Sequence, residues 1–237
     1  MKLFKVIFTY TSIIFFTQIF SPSIGHAQTK TVYKEQFKKN TLAKKWKVIN
    51  GTWTVKNDNL YGTSDREWAI MLCKKSLPDN YILSFSTLTD PKAYLFEVIT
   101  NLNDNKFLGI LLNQLENRIA IEDREFFPKG NNMGSYIHTK GYIGKLPKVA
   151  KASEAIWQHW KIQKTGNQLF IWINDEAIIS FRDTHGIVKS KGKFGFAING
   201  TSIIKFIELV KTKGDNSLPP ADFKGRPLIK PTWSFSE

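Results

Sequence analysis

The sequence has 237 residues and carries 34 Lys and Arg against 20 Asp and Glu, so its formal net charge is +14 at pH 7. Its single cysteine, Cys73, excludes an intramolecular disulfide, and a hydrophobic core must therefore stabilise the fold. Such a basic chain can attract nucleic acid, an anionic membrane surface or an acidic polysaccharide, and composition alone does not choose among them.

The N-terminal 27 residues are typical of a cleavable secretory signal. Lys2 and Lys5 precede an apolar run that extends to Phe20, and small residues follow at Gly25 and Ala27. A membrane anchor is the alternative, but Thr, Ser and Gln interrupt the apolar run. We therefore expect an exported protein, periplasmic or extracellular, with no membrane insertion after signal cleavage and no nucleic acid as its partner.

Residues 28–214 contain short segments that alternate apolar and polar residues at period two, which is typical of β-strands. Asn-Gly, Asn-Asp and Gly-Asn pairs separate these segments, and such residues favour tight turns. No segment has a sustained helical period. The pattern predicts one all-β domain, an antiparallel β-sandwich, with strands near residues 46–62, 67–74, 80–88, 93–100, 106–113, 118–127, 159–166, 167–181, 192–199 and 201–214.

Two regions lack this alternation. Residues 128–154 are rich in Gly, Lys and Ser and predict a long loop, which is either a binding loop or lid or a mobile connection. Residues 215–237 form a Pro-rich C-terminal tail, which either packs against the domain or stays loose. Within the domain we expect four tryptophans in the core, namely Trp46, Trp53, Trp160 and Trp172.

The order of aromatic residues and turns resembles the concanavalin A-like jelly roll of lectins and glucanases. The opening elements of that family correspond here to Phe37, Trp46, Gly51, Trp53, Val55 and Leu60. The closing elements correspond to residues 160–162, the turn at 174–176, the Gly-rich segment at 192–196 and residues 203–210. The resemblance covers roughly residues 33–212 and implies a concanavalin A-like sandwich.

Proteins of this fold include polysaccharide hydrolases and lyases, carbohydrate-binding modules and 3-keto-disaccharide hydrolases, so the resemblance implies a carbohydrate-related function. Family 16 glycoside hydrolases carry Glu-x-Asp-x-x-Glu or a motif one residue shorter, and the segment Glu122-Asp123-Arg124-Glu125 does not have that spacing. We expect a glycoside hydrolase or polysaccharide lyase that acts on a poly- or oligosaccharide in a concave groove. A non-catalytic, lectin-like carbohydrate-binding protein is the alternative.

Two glutamates are candidate catalytic carboxyls because each lies within an apolar alternation rather than at a turn. These are Glu97 in AYLFEVIT and Glu122 in RIAIEDRE. Glycoside cleavage requires two carboxyls that face one cleft. The alternatives are a solvated strand face for Glu122 and a structural ion pair for Glu97, whose partner would be Arg118 or Arg124.

A histidine in the predicted loop offers a different chemistry. His138 lies near Tyr136 and Tyr142, and a His/Tyr pair with a nearby cation is what a polysaccharide lyase uses to remove a proton beside a uronic acid carboxylate. The basic charge suits an anionic saccharide. The alternative is an ordinary loop histidine with no role in chemistry.

Aromatic and cationic side chains are candidate sugar-binding groups, because sugar rings stack their C–H faces on aromatic rings. The candidate substrate-binding residues are Trp68, Tyr94, Arg118, Arg124, Tyr136 and Tyr142. Histidine and cysteine spacing does not suggest a transition-metal site, and we expect no cofactor, although the Asp/Asn-rich turns leave room for a structural calcium. We expect a monomer.

Overall fold

The computed structural model describes residues 29–38, 42–64, 68–89, 95–113, 118–126, 141–145, 157–183, 186, 190–214 and 226–227. Sixteen strands and one short helix form within these ranges. The strands are β1 (Lys30–Glu35), β2 (Trp46–Asn50), β3 (Thr52–Lys56), β4 (Asn59–Thr63), β5 (Ala69–Leu77), β6 (Tyr81–Thr89), β7 (Leu95–Asn103), β8 (Lys106–Asn113), β9 (Arg118–Glu125), β10 (Gly141–Lys145), β11 (Trp157–Thr165), β12 (Gln168–Ile173), β13 (Glu176–Arg182), β14 (Gly192–Asn199), β15 (Thr201–Lys211) and β16 (Arg226–Pro227), and the helix is α1 (Leu42–Lys45). No helix in the described ranges is long and apolar enough to span a membrane.

The strands form two antiparallel sheets. The first sheet has the order β13-β12-β11-β6-β15-β4-β3, and β1 also pairs with β15. The second sheet has the order β16-β10-β9-β8-β7-β14-β5-β2. The prediction of an all-β antiparallel sandwich is therefore confirmed, and the opening segment, residues 46–62, contributes strands to both sheets.

Tight hairpins explain much of the local order. Asn57 and Asp58 link β3 to β4, and Asn174 and Asp175 link β12 to β13, with φ between 52° and 63° at all four residues. A two-residue hairpin of this kind needs positive φ at both central positions, which Asn and Asp tolerate better than other non-glycine residues. The turn chemistry that the sequence predicts is therefore present.

The main core lies between the sheets and is rich in aromatic rings. Phe85 and Trp160 of the first sheet stack with their centroids 5.6 Å apart, and Phe85 meets Phe196 of the second sheet edge-on at 5.2 Å. Trp46 stacks on Phe196 at 5.9 Å. The Phe85–Phe196 contact joins the two sheets, and the other two pack rings within each sheet; burial of such large apolar surfaces is the main source of stability in a domain without disulfides.

Two expectations from the sequence are wrong. Trp172 is not in the core, because Ile171 and Ile173 point inward and strand alternation turns Trp172 to the opposite face of the first sheet. Residues 141–145, expected to be loop, form β10 and pair with β9 and with β16 of the tail. Five residues among glycines are too few to show a period, so only the pairing partner reveals this strand.

Candidate functional site

The side of the second sheet that faces away from the main core, here called the outer face, carries an apolar cluster. The members of this cluster that the structure describes all come from the second sheet and its flanks, and eight of them are buried. They are Trp68, Ile70, Leu72, Ile99, Leu102, Phe107, Leu111 and Ala197, with Ile49, Leu95 and Phe126 packed at the margins.

Three charged side chains lie among these apolar residues. Phe96 and Val98 face the main core, so alternation along β7 places Glu97 on the outer face. Ile119 and Ile121 likewise place Glu122 and Arg124 of β9 on the outer face. Because β8 lies between β7 and β9, the two predicted carboxyls come from strands on either side of it.

One guanidinium joins the two carboxyls. Arg124 Nε lies 3.1 Å from Glu97 Oε1. The Nε–H of Arg124 donates to Glu122 Oε2, and Arg124 Nη2 contacts the same carboxyl oxygen. All three side chains are at least 98% buried. The predicted partner of Glu97 is therefore present, and the structure brings Glu97, Glu122 and Arg124 into one cluster, here called the carboxyl–arginine cluster.

Gly109 of β8 makes room for this cluster. A Cβ built at Gly109 would collide with Glu97 Oε1 and lie 3.0 Å from Arg124 Cδ. The carboxyl of Glu97 and the stem of Arg124 therefore rest directly on the backbone of β8. The sequence analysis did not select Gly109, and the only available signal was a glycine inside a strand pattern, which often marks the close approach of another group.

Glu97 occupies an electrostatically unfavourable position. Burial raises its pKa to about 8; Arg124 lowers the pKa and Glu122 raises it. Its Oε1 is close to Arg124, yet no described residue donates a hydrogen bond to either carboxyl oxygen, because the Nε–H is directed at Glu122. The raised pKa favours the protonated form of Glu97, while the neighbouring carboxyl of Glu122 accepts the hydrogen bond of Arg124 Nε.

This environment predicts a pH-dependent stability. Because the pKa of Glu97 rises from 4.5 to about 8 on folding, the folded state holds the proton more tightly. Its stabilising contribution is complete below pH 4.5 and is lost as pH rises to about 8. The Glu97→Gln variant lacks this titration. Its free energy of unfolding, relative to that of wild type, should therefore increase as pH rises across that interval, by at most about 1.4 kcal/mol per pH unit.

Urea unfolding of both proteins at several pH values in this interval measures the effect. Glu176→Gln is the matched control, because Glu176 is exposed on β13 and its loss should leave the pH profile parallel to that of wild type. A stability difference between Glu97→Gln and wild type that stays constant with pH would show that Glu97 titrates normally.

The other predicted site residues are placed differently. Trp68 precedes β5 and is buried in the apolar cluster of the outer face, so its ring packs against protein. Arg118 begins β9 and pairs through its backbone with Asn113 and Lys145. Tyr142 lies in β10, where its backbone pairs with Ile121. Tyr94, Tyr136 and His138 lie outside the described residues.

The opposite side of the sandwich carries aromatic residues that the sequence analysis did not select as a pair. Trp157 and Trp172 are half-buried on the outward side of the first sheet. Lys205 Nζ lies 4.3 Å from the ring centroid of Trp157, and Lys161 Nζ lies 4.7 Å from that of Trp172. These cation–π contacts leave two partly exposed indoles on one sheet surface.

Metal ligands are not grouped in the described part of the chain. None of its His, Cys, Asp and Glu residues form a set of three or more that could hold a metal ion. The carboxyl–arginine cluster itself is a poor cation site, because Arg124 already supplies the positive charge.

Comparison with known proteins identifies the fold. No protein-family model and no curated protein matches the sequence. Among solved structures, the laminarinase from Rhodothermus marinus is similar with a TM-score of 0.56 and 11% identity, over 79% of this chain and 99% of that one. A protein of unknown function with a galectin-like fold from Bacillus subtilis gives a TM-score of 0.55 at 14% identity, over 77% and 97% of the two chains.

A third similar structure is a carbohydrate-binding module, CBM66 from Bacillus subtilis, with a TM-score of 0.52 and 16% identity over 68% of this chain and 91% of that one. These similarities confirm the concanavalin A-like jelly roll. At such low identity they define the fold and leave function to be argued from the site.

Proposed function

We propose that this protein is an exported glycoside hydrolase that acts on a poly- or oligosaccharide. The observation that carries the proposal is the convergence of Glu97 and Glu122 on Arg124, in environments that favour the protonated form of Glu97 and place Glu122 in a hydrogen bond and an ion pair with Arg124. Contact with the same nitrogen keeps Glu97 Oε1 and Glu122 Oε2 at most about 5.6 Å apart, a limit that admits the separation of about 5–5.5 Å at which retaining glycosidases place their carboxyls.

The two environments suit different steps of such a reaction. Glu97 transfers its proton to the glycosidic oxygen as the C–O bond breaks, and the Glu122 carboxylate forms a bond to the anomeric carbon. Water then displaces Glu122 from that carbon and gives a proton back to Glu97. Arg124 is a positioning residue in this scheme, since it donates to Glu122 Oε2 and so fixes the orientation of that carboxyl.

The named neighbours support the substrate class. A laminarinase and a carbohydrate-binding module share this fold with the chain. Because the spacing of the family 16 motif is absent, the proposal rests on the geometry of the carboxyl–arginine cluster rather than on a transferred motif.

The test is to incubate the purified protein with a panel of neutral and anionic polysaccharides and 3-keto-glycosides. New reducing ends without the ultraviolet absorbance of an unsaturated uronic acid would support hydrolysis. Unsaturated ends would instead indicate elimination and contradict the roles assigned to Glu97 and Glu122. If no glycan is cleaved, the hydrolase proposal is wrong.

A second candidate is a non-catalytic carbohydrate-binding protein. The nearly complete burial of the carboxyl–arginine cluster favours it, and so do the partly exposed indoles of Trp157 and Trp172, which offer stacking surfaces for sugar rings. A polysaccharide affinity gel tests this function. It would be established if the protein cleaves no glycan, a polysaccharide retards it in the gel, and Trp157→Ala and Trp172→Ala relieve that retardation.

A further inference from the structure

A pocket of about 770 Å³ lies at one end of the second sheet and is rich in lysine. Its described lining includes Lys47, Lys74 and Lys193 together with Asp104. Lysines supply three positive charges against the single carboxylate of Asp104. The pocket is therefore positively charged, and its volume lies in the range of small-ligand sites.

The pocket is continuous with the outer face that carries the carboxyl–arginine cluster. Leu72 and Leu102 belong to both the pocket lining and the apolar cluster of that face. Leu102 lies on β7, five positions beyond Glu97, which corresponds to roughly 17 Å along a regular strand. The pocket and the carboxyl–arginine cluster therefore lie on the same face of the second sheet.

The three lysines are available to an anion. All three are exposed, and no residue in the described ranges forms an ion pair with them. Lys74 Nζ donates one hydrogen bond to Ala43 O at 2.8 Å, which positions the amine and leaves two of its three donors. The three charged residues therefore line the pocket without being neutralised by a described acidic residue.

The remaining lining residues suit a sugar ligand better than a ligand with a flat charged surface. Ser76 and Asn103 offer polar side chains, and Asn103 Nδ2 donates to Lys191 O at 2.8 Å, which fixes this part of the rim. Leu72 and Leu102 supply an apolar surface for the C–H face of a ring. A concave pocket of mixed polar and apolar character favours a discrete saccharide unit over a membrane or a nucleic acid backbone.

We propose that this lysine pocket binds the carboxylate or sulfate group of an anionic saccharide. The proposal rests on the function proposed above and specifies its substrate class. Lys47, Lys74 and Lys193 would hold the acidic group of such a saccharide.

Matched glycan pairs test the proposal by affinity electrophoresis and titration calorimetry. Polygalacturonate and its methyl ester probe a carboxylate, and dextran sulfate and dextran probe a sulfate. The variant Lys47→Gln/Lys74→Gln/Lys193→Gln should bind at least one anionic member about tenfold or more weakly than wild type, because it loses charge-assisted hydrogen bonds. The control Lys56→Gln/Lys211→Gln/Lys213→Gln removes the same charge from exposed positions elsewhere and should bind nearly as wild type.

The double variant Lys47→Gln/Lys193→Gln keeps the Lys74–Ala43 hydrogen bond and provides the same test if the triple variant does not fold. Equal losses in the pocket and control variants would overturn the proposal, since they would reflect net charge alone. Equal binding of the neutral and anionic members would also overturn it while leaving the proposed function intact. If wild type neither binds nor cleaves any glycan, both proposals fail.

Discussion

Glu97→Gln and Glu122→Gln should each abolish most of the glycoside-cleaving activity. Loss of the proton donor at Glu97 should lower turnover by about 10²- to 10⁴-fold, the usual range for a general acid. Loss of the nucleophile at Glu122 should lower turnover by more than about 10³-fold. Initial rates on the best substrate of the panel measure both effects, and Glu176→Gln, which changes an exposed glutamate of β13, should keep the wild-type rate.

A substrate with an activated leaving group separates the two roles. The dinitrophenolate of a dinitrophenyl glycoside leaves without being protonated. On such substrates Glu97→Gln should therefore retain much of the wild-type rate of bond cleavage, while Glu122→Gln should not. If both variants hydrolyse the natural glycan as fast as the Glu176→Gln control, the carboxyl–arginine cluster is structural and the catalytic assignment is wrong.

Arg124→Met should destabilise the fold by about 3–5 kcal/mol, which is the usual cost of removing one partner from a buried ion pair. The reason is that Glu97 and Glu122, both buried on the outer face, would lose their shared positive partner. Urea unfolding measures the change. Lys56→Met, which removes an exposed charge beside the β3–β4 turn, should change the free energy of unfolding by less than about 0.5 kcal/mol.

A triple variant tests whether the stability lost in Arg124→Met comes from buried charge left without a partner. The triple variant Glu97→Gln/Glu122→Gln/Arg124→Met leaves no buried charge in the cluster and should recover a large part of the stability lost in Arg124→Met. A loss below about 1 kcal/mol in Arg124→Met, or no recovery in the triple variant, would show that the guanidinium does not neutralise this face.

Part of the candidate site was predictable from the sequence. Glu97 lies between Phe96 and Val98, and a carboxylate in an apolar strand requires a partner, so an arginine of a neighbouring strand was a justified expectation. Arg124 fulfils it. The sequence could not place β8 between the two strands, and therefore could not identify Gly109 as the position over which the side chains meet.

Other features depended wholly on the pairing of distant strands. The lysine pocket joins residues of β2, β5, β7 and β14 and the turn residue Asp104, and their separations in the chain carry no common period. Similarly, β10 exists through its pairing with β9 and β16, and the indoles of Trp157 and Trp172 share a surface because β11 and β12 are adjacent.

The sequence by itself determined the class of fold. Period-two alternation, Asn/Asp turns that accept positive φ and the ordered aromatic residues are local properties, and each acts through neighbours in the chain. The tertiary structure alone decided which sheet faces pack together, which carboxyls contact Arg124 and which lysines line one pocket. These are matters of strand order and register, which long-range burial selects and which no short segment encodes.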